Sequence, residues 1–177
     1  MARPRVLVFP FAALGHVKPF LTLAELLSDG GVDVVFLSTE YNFGRISNLA
    51  ALASRFPTLQ FATISDGLPL PPDHPRSLLD TPLYFTMRDG IKPRLRHLIR
   101  SYNDASSPIT CIINDIMYSS PIEVAQEFGI PVFTFCPFSA RYLTTYSIIP
   151  ELNEKAQIPY AGQKQSCALP LLSVFCL

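Results

Sequence analysis

A short apolar run that leads directly into a helical repeat constrains the fold of this chain more than any other stretch. Residues 6–9 (VLVF) are apolar and strand-favouring, and Pro10 marks a turn behind them. Pro19 is expected in the first turn of the helix that follows, and the glycine pair at 30–31 ends that helix. The apolar face of the helix is formed by Phe20, Leu23, Ala24 and Leu27. The stretch therefore predicts a buried strand, a tight loop and an amphipathic helix.

The same alternation of strand and helix recurs further along the chain. More strands are predicted at residues 32–37, 59–64, 110–113 and 130–135. More helices are predicted at residues 42–52, 81–102 and 120–128, with Pro93 bending the second of these three. Strands that alternate with helices build a parallel sheet with right-handed crossovers. We therefore predict an α/β fold with a Rossmann-like parallel sheet, helices on both faces and strand order 3-2-1-4-5.

Charge balance and cysteine spacing favour some classes of partner over others. Lysine plus arginine and aspartate plus glutamate each number 14, so net charge indicates no basic face for nucleic acid or anionic lipid. Arg94, Arg96 and Arg100 are expected to form a solvated helix face. The four cysteines show no CxxC spacing, which favours reduced thiols in a cytoplasmic protein over a metal site. No apolar segment approaches the roughly 20 residues that span a bilayer. These features favour a small-molecule partner, with no metal and no membrane span.

One histidine and one aspartate follow two strands that the predicted topology makes neighbours. His16 lies in the loop predicted after the first strand, and Asp115 ends the fourth. The carboxyl ends of these two strands open into the ligand crevice of a doubly wound sheet. A carboxylate that accepts the Nδ1–H of a histidine fixes its tautomer and stabilises the imidazolium formed when Nε2 takes a proton. The pattern predicts a general-base dyad.

Other interpretations of these residues stay open at this point. A loop histidine is more often structural or merely exposed, and an aspartate after a strand is often only a cap. His74 and His97 are assigned no catalytic role. The chain has no G-x-S-x-G elbow, no G-x-G-x-x-G fingerprint and no GK[ST] loop, which disfavours a serine nucleophile, NAD and ATP.

Several longer motifs follow one another in a specific order. They are FPFAALGHVKPFLTLAELL, TISDGLP followed by DHPR, KP at residues 92–93, TCIINDIMYSSPIEVAQEFGIPVFTF, PFSA and IPEL. From about residue 5 to residue 160 the chain resembles the amino-terminal half of plant UDP-dependent glycosyltransferases of family 1. The SDGLP and DHPR segments look most like those of enzymes that glucosylate iridoid terpenoids such as 7-deoxyloganetic acid.

The resemblance implies an inverting, metal-independent glycosyl transfer in plant secondary metabolism. His16 would remove the proton of an acceptor hydroxyl, Asp115 would support the charged histidine, and the acceptor oxygen would displace UDP. The co-substrate would be a UDP-sugar, with glucose the expected sugar, and no cofactor is implied. The acceptor would be a small lipophilic molecule such as a terpenoid or a phenolic. Candidate acceptor-binding residues are Phe11, Gly15, Tyr84, Phe85, Met87, Phe138 and Ser139.

The end of the chain departs from the family pattern. Members of the family continue into a donor-binding domain whose tryptophan-containing signature includes HCGWNS, whereas these 177 residues contain no tryptophan. We expect residues 1–160 to form the acceptor-binding domain, residues 161–177 to be a divergent apolar tail outside the fold, and the donor-binding domain to be absent. The chain alone is then expected to be inactive, and a UDP-sugar would bind only with a donor domain supplied. The alternatives are a non-catalytic fragment that binds an acceptor or a partner, a product with no function, and an unrelated nucleotide-binding α/β domain.

Overall fold

The computed structural model describes residues 3–69, His74 and residues 81–154. The described residues divide into two compact units, one that ends at residue 135 and one that begins at residue 136. The predicted domain boundary at residue 160 and the predicted tail lie outside the described residues. Within the described part, no helix is both long enough and apolar enough to cross a bilayer.

The first unit is built on a five-stranded parallel sheet with strand order β3-β2-β1-β4-β5. The strands are β1 (Arg5–Phe9), β2 (Asp33–Thr39), β3 (Leu59–Ile64), β4 (Cys111–Asp115) and β5 (Val132–Phe135). On β1, Val8 belongs to a core cluster with Phe20 of the following helix, while Leu7 and Phe9, which alternate with it, are fully buried too. Both faces of the central strand are therefore covered, as in doubly wound folds. The predicted fold class and strand order are confirmed.

Helices connect the strands. In the first unit they are α1 (Leu14–Asp29), α2 (Glu40–Phe43), α3 (Leu49–Arg55), α4 (Thr81–Phe85), α5 (Lys92–Asp104) and α6 (Ser120–Glu127). The second unit contains α7 (Ala140–Glu154), where the rings of Tyr142 and Tyr146 stack 5.3 Å apart between centroids.

The first helix begins earlier than the sequence predicts. The backbone carbonyl of Ala13 accepts hydrogen bonds from the N–H groups of His16 and Val17, at 2.9 and 3.1 Å, so the backbone is already helical at Leu14. His16 is therefore in the first turn of α1 rather than in a loop. The prediction that Pro19 lies in the first turn was wrong, since Pro19 is inside the helix.

Two other helical predictions were wrong in detail. The single helix predicted at residues 42–52 is two short helices, α2 and α3, because Asn48 has a left-handed backbone with φ of 61° that α-helix cannot continue through. In the next helical stretch, Pro93 is the second residue of α5 and does not bend a longer helix. The first turn of a helix tolerates proline because N–H groups there have no acceptor within the helix. The irregularity is a π-helical turn at Thr86–Gly90.

Ionic contacts tie α5 to α6. Arg96 makes two hydrogen bonds to the carboxylate of Glu127, at 2.7 and 2.6 Å, and the Lys92 ammonium lies 2.5 Å from the carboxylate of Glu123. The predicted solvated face thus carries a surface ion pair at Arg96, because the neighbouring helix supplies an acidic partner. The hydrogen bond from Lys92 lowers the pKa of Glu123 below its usual value.

The contact between Lys92 and Glu123 predicts an acid-dependent loss of stability. A carboxyl group whose pKa is lower in the folded state stabilises the fold above its unfolded pKa of about 4.3, and this contribution is lost as the pH falls through the folded value. Glu123→Gln should lower the melting temperature by about 1–2 °C at pH 7 and leave it unchanged near pH 2. The control is Glu25→Gln on α1. An equal effect of Glu123→Gln at both pH values in thermal unfolding would contradict the assignment.

Candidate active site

His16 and Asp115 meet at the carboxyl edge of the sheet. Asp115 is the last residue of β4, and His16 lies in the first turn of α1, the helix that follows β1, which is the strand that pairs with β4. The Nδ1 atom of His16 lies 2.8 Å from Oδ2 of Asp115. Both side chains are buried, with 2% of His16 and none of Asp115 exposed to solvent. The structure thus brings together the two residues that the topology predicted to be neighbours.

Backbone donors complete the surroundings of the carboxylate. The N–H of Phe11 donates to Oδ2 of Asp115 at 3.1 Å, and the N–H of Met117 donates to Oδ1 at 3.0 Å. A buried carboxylate without such donors would be strongly destabilising. These bonds hold both oxygens in place, so Oδ2 is oriented toward the imidazole.

Aromatic rings surround the pair. The Phe11 ring lies 5.8 Å from the His16 ring and 5.5 Å from the Tyr118 ring, between centroids. The Tyr118 hydroxyl donates to the backbone carbonyl of Pro10 at 3.0 Å. Burial, together with the charge of Asp115, raises the pKa of Tyr118 well above its usual value. Tyr118 is therefore a neutral hydroxyl donor throughout the physiological pH range.

The turn after β4 is braced by a buried amide. The Nδ2 atom of Asn114 donates to the carbonyls of Asp115 and Tyr118, at 2.9 and 3.1 Å, and its Oδ1 atom accepts from the hydroxyl of Thr134 on β5, at 3.2 Å. Sequence reasoning missed Asn114 and Tyr118. The available signal was the cluster of polar side chains directly at and after the end of a buried strand.

This arrangement has a defined acid–base chemistry. Since Nδ1 faces the carboxylate, Nε2 is the nitrogen that would exchange protons with a substrate. The carboxylate would stabilise the resulting imidazolium, as in the histidine–aspartate part of a catalytic triad. In the described part of the chain, no group of three histidine, cysteine, aspartate or glutamate side chains could hold a metal ion.

The other predicted site residues are placed as follows. Phe11 is buried against His16, and Gly15 is exposed in the first turn of α1, with open space around its Cα. Tyr84 on α4 and Met87 in the π-helical turn are buried, whereas Phe85 is 44% exposed. Their binding of an acceptor stays a prediction.

Phe138 and Ser139 belong to the second unit, in which the Phe138 ring packs 4.6 Å from the Tyr142 ring between centroids. Their role at the acceptor site also stays a prediction.

A pocket of about 510 Å³ lies elsewhere in the first unit, between the end of β3 and one face of α5. Its lining residues are Glu40, Thr63, Ile64, Ser65, Pro93, Arg94, His97, Leu98 and Ser101. Neither member of the dyad lines this pocket.

The chain is similar in sequence to known plant enzymes over most of its length. The chain is 71% identical over 161 residues to mogroside I-A1 synthase of Siraitia grosvenorii, a match that covers 91% of this chain and 30% of the relative. It is 36% identical over 169 residues to 7-deoxyloganetic acid glucosyltransferase of Catharanthus roseus, covering 90% of this chain and 34% of the relative. The chain matches the plant UDP-dependent glycosyltransferases of family 1. The resemblance predicted from the motifs is thereby confirmed.

Solved structures of plant glycosyltransferases share the fold. Os79 from O. sativa, in complex with U2F and trichothecene, aligns with a TM-score of 0.66 at 22% identity, covering 84% of this chain and 32% of that one. Phytolacca americana UGT2, complexed with UDP-2fluoro-glucose and pterostilbene, aligns with a TM-score of 0.64 at 16% identity, covering 92% of this chain and 37% of that one. The chain thus spans about a third of the length of the glycosyltransferases it matches. No protein-family model matches it.

The buried carboxylate predicts a large effect on stability. Asp115→Ala would leave the N–H groups of Phe11 and Met117 without their acceptor inside the protein. Since each buried unsatisfied group costs about 1–3 kcal/mol, the loss of the acceptor for two such groups should lower the free energy of unfolding by about 2–6 kcal/mol. Asp104→Ala, at the exposed end of α5, is the control and should change it by less than ~0.5 kcal/mol. Urea unfolding measures both, and equal effects would contradict the described hydrogen bonds.

Proposed function

We propose that this chain is the acceptor-binding and base-carrying part of a UDP-dependent glycosyltransferase. In the proposed reaction, a glycosyl group, with glucose favoured, passes from a UDP-sugar to a hydroxyl of a small lipophilic acceptor, such as a terpenoid or a phenolic. The observation that carries the proposal is the buried contact of 2.8 Å between His16 Nδ1 and Asp115 Oδ2 at the switch point of the sheet.

The proposed reaction uses His16 as a general base. Nε2 takes the proton of the acceptor hydroxyl as its oxygen attacks the anomeric carbon of the sugar. The new bond from carbon to oxygen forms as the bond to UDP breaks, and UDP leaves with the electron pair. Attack from the face opposite the leaving group inverts the anomeric configuration. The carboxylate of Asp115 stabilises the imidazolium through Nδ1–H. The proposal needs no cofactor and no metal.

The surroundings of the dyad support an apolar acceptor. The Phe11 ring packs against His16. Met87 lies in the π-helical turn, and its backbone carbonyl accepts a hydrogen bond from the Ser120 hydroxyl at 3.0 Å. Ser120 begins α6, the helix that follows Asp115. This hydrogen bond therefore ties the π-helical turn to the start of that helix. The relatives of this chain agree in kind, since they include a 7-deoxyloganetic acid glucosyltransferase, a mandelonitrile glucosyltransferase and a glucosyltransferase of myricetin 3-O-rhamnoside.

The donor would be held by a second domain of the kind found in full-length members of the family. The cytoplasmic location predicted from the cysteine pattern belongs to the same proposal. The alternative is a non-catalytic fragment that binds an acceptor or a partner.

Calorimetry with UDP-glucose tests where the donor binds. Because the family's donor signature is missing from these residues, the 177-residue chain should show no saturable binding of UDP-glucose up to about 1 mM. A dissociation constant at that limit corresponds to a binding free energy of about −4 kcal/mol. A micromolar isotherm would show that donor recognition lies within this chain.

A fusion enzyme tests the chemistry. Residues 1–160, joined to the donor-binding domain of a full-length relative, should glucosylate a terpenoid or phenolic hydroxyl. His16→Ala should slow the reaction on the order of 10²–10⁴-fold, the usual contribution of a positioned general base. Asp115→Ala should slow it too, and the double variant should lose much less than the product of the two losses, because the residues act as a unit.

The matched control in the fusion enzyme is His97→Ala on α5, which should keep the parent rate. Full activity of His16→Ala would refute the proposed base. Multiplicative losses would show that His16 and Asp115 do not work as a dyad. An active fusion enzyme in which only the dyad variants fail would exclude the non-catalytic alternative.

A further inference from the structure

One peptide group is held at both ends by side chains at the end of β4 and in the turn that follows this strand. This group joins Pro10 to Phe11, directly after β1. Its carbonyl oxygen accepts from the Tyr118 hydroxyl at 3.0 Å, and its N–H donates to Oδ2 of Asp115 at 3.1 Å. Tyr118, Phe11 and Asp115 are at most 1% exposed. Two side chains only three residues apart therefore bind the opposite poles of a single buried peptide group.

The geometry of a peptide group makes this arrangement rigid. In a planar trans peptide the C=O and the N–H point in opposite directions. If the plane rotated about the axis between its two Cα atoms, both hydrogen bonds would be lost together. Each bond thus opposes the motion that would break the other, and the hydroxyl at the carbonyl end restrains the N–H at the other end.

The same carboxylate oxygen faces the histidine. Oδ2 of Asp115 accepts from the Phe11 N–H and lies 2.8 Å from Nδ1 of His16. A hydroxyl that donates to the carbonyl also polarises the peptide, which makes its N–H a stronger donor. The orientation of the peptide therefore bears directly on the oxygen that contacts the imidazole.

Packing keeps the hydroxyl at its place. The Tyr118 ring lies edge-on to the Phe9 ring, with 5.6 Å between centroids and 77° between planes, and contacts the Phe11 ring at 5.5 Å. The amide of Asn114 holds the carbonyl of Tyr118 from the strand side, at 3.1 Å. The tyrosine is thus fixed at its ring, its backbone and its hydroxyl.

We infer that Tyr118 is a positioning residue of the dyad, whose hydroxyl acts through the peptide between Pro10 and Phe11 to hold Oδ2 of Asp115 against His16. The importance of this role for catalysis rests on the proposed function. The positioning itself is a property of the chain without donor or acceptor.

Amide NMR of the ¹⁵N-labelled 177-residue chain tests the inference. In Tyr118→Phe, the Phe11 amide proton should move upfield and exchange with solvent about tenfold faster or more, because its restraint and its polarisation are gone. The Met117 amide is the internal reference, since it donates to the other oxygen of the same carboxylate. Tyr102→Phe, at a half-buried tyrosine on α5, is the matched control and should leave the Phe11 amide unchanged.

A second readout reports the dyad itself. The Nδ1 proton of His16 should exchange faster in Tyr118→Phe than in the parent chain, whereas loss of ring packing alone would leave it unaffected. If Tyr118→Phe does not fold, the chain labelled with 3-fluorotyrosine replaces it. Its more acidic hydroxyl is a stronger donor and should move the Phe11 amide proton downfield, with the Met117 amide unchanged.

Unchanged Phe11 and His16 signals in Tyr118→Phe, or equal changes in Tyr102→Phe, would overturn the inference, as would an unmoved Phe11 amide in the fluorinated chain. These outcomes are separate from a failure of the proposed function. An inactive fusion enzyme would count against the glycosyltransferase proposal and would leave the amide result intact.

Discussion

The parallel pairing of β1 with β4 is the constraint on which the candidate site depends. The two strands run side by side with Phe9 opposite Asn114, so the chain leaves both at the same edge of the sheet. The first residues beyond β1 then form the turn at Pro10 and the start of α1, while β4 ends in Asp115. Two side chains that are distant in sequence meet without any long loop. Rigid strands, rather than flexible connections, set the contact between His16 and Asp115.

Burial of a carboxylate at this edge has consequences for the residues around it. The charge is acceptable only because backbone N–H groups on both sides donate to it and the imidazole Nδ1 lies within hydrogen-bond distance. Those donors must be presented accurately, which explains the bracing of the turn after β4 by Asn114 and of the turn after β1 by Tyr118. The site is thus a network in which each polar group is held by another. Such a network is sensitive to the loss of a single member.

The sequence predicted the sheet well because apolar strand runs are strong, local signals. All five strands occur near their expected positions, and the meeting of His16 with Asp115 followed from strand order alone. The helices were predicted less well. The early start of α1 coincides with hydrogen bonds to the Ala13 carbonyl, and the π-helical turn is in hydrogen-bond contact with Ser120, more than 30 residues away. The link from Tyr118 to Pro10 spans 108 residues, so no local pattern could reveal it.

The tautomer of His16 tests directly whether Nδ1 of this histidine donates a hydrogen bond to Asp115. In ¹⁵N NMR of the labelled 177-residue chain, at a pH where the ring is neutral, a hydrogen bond to Asp115 requires the proton of His16 to reside on Nδ1. His97 on α5 is the internal reference and should show the Nε2–H tautomer that free histidine prefers. We expect the Nδ1–H tautomer at His16 and the Nε2–H tautomer at His97. An Nε2–H tautomer at His16, the same as at His97, would contradict this expectation.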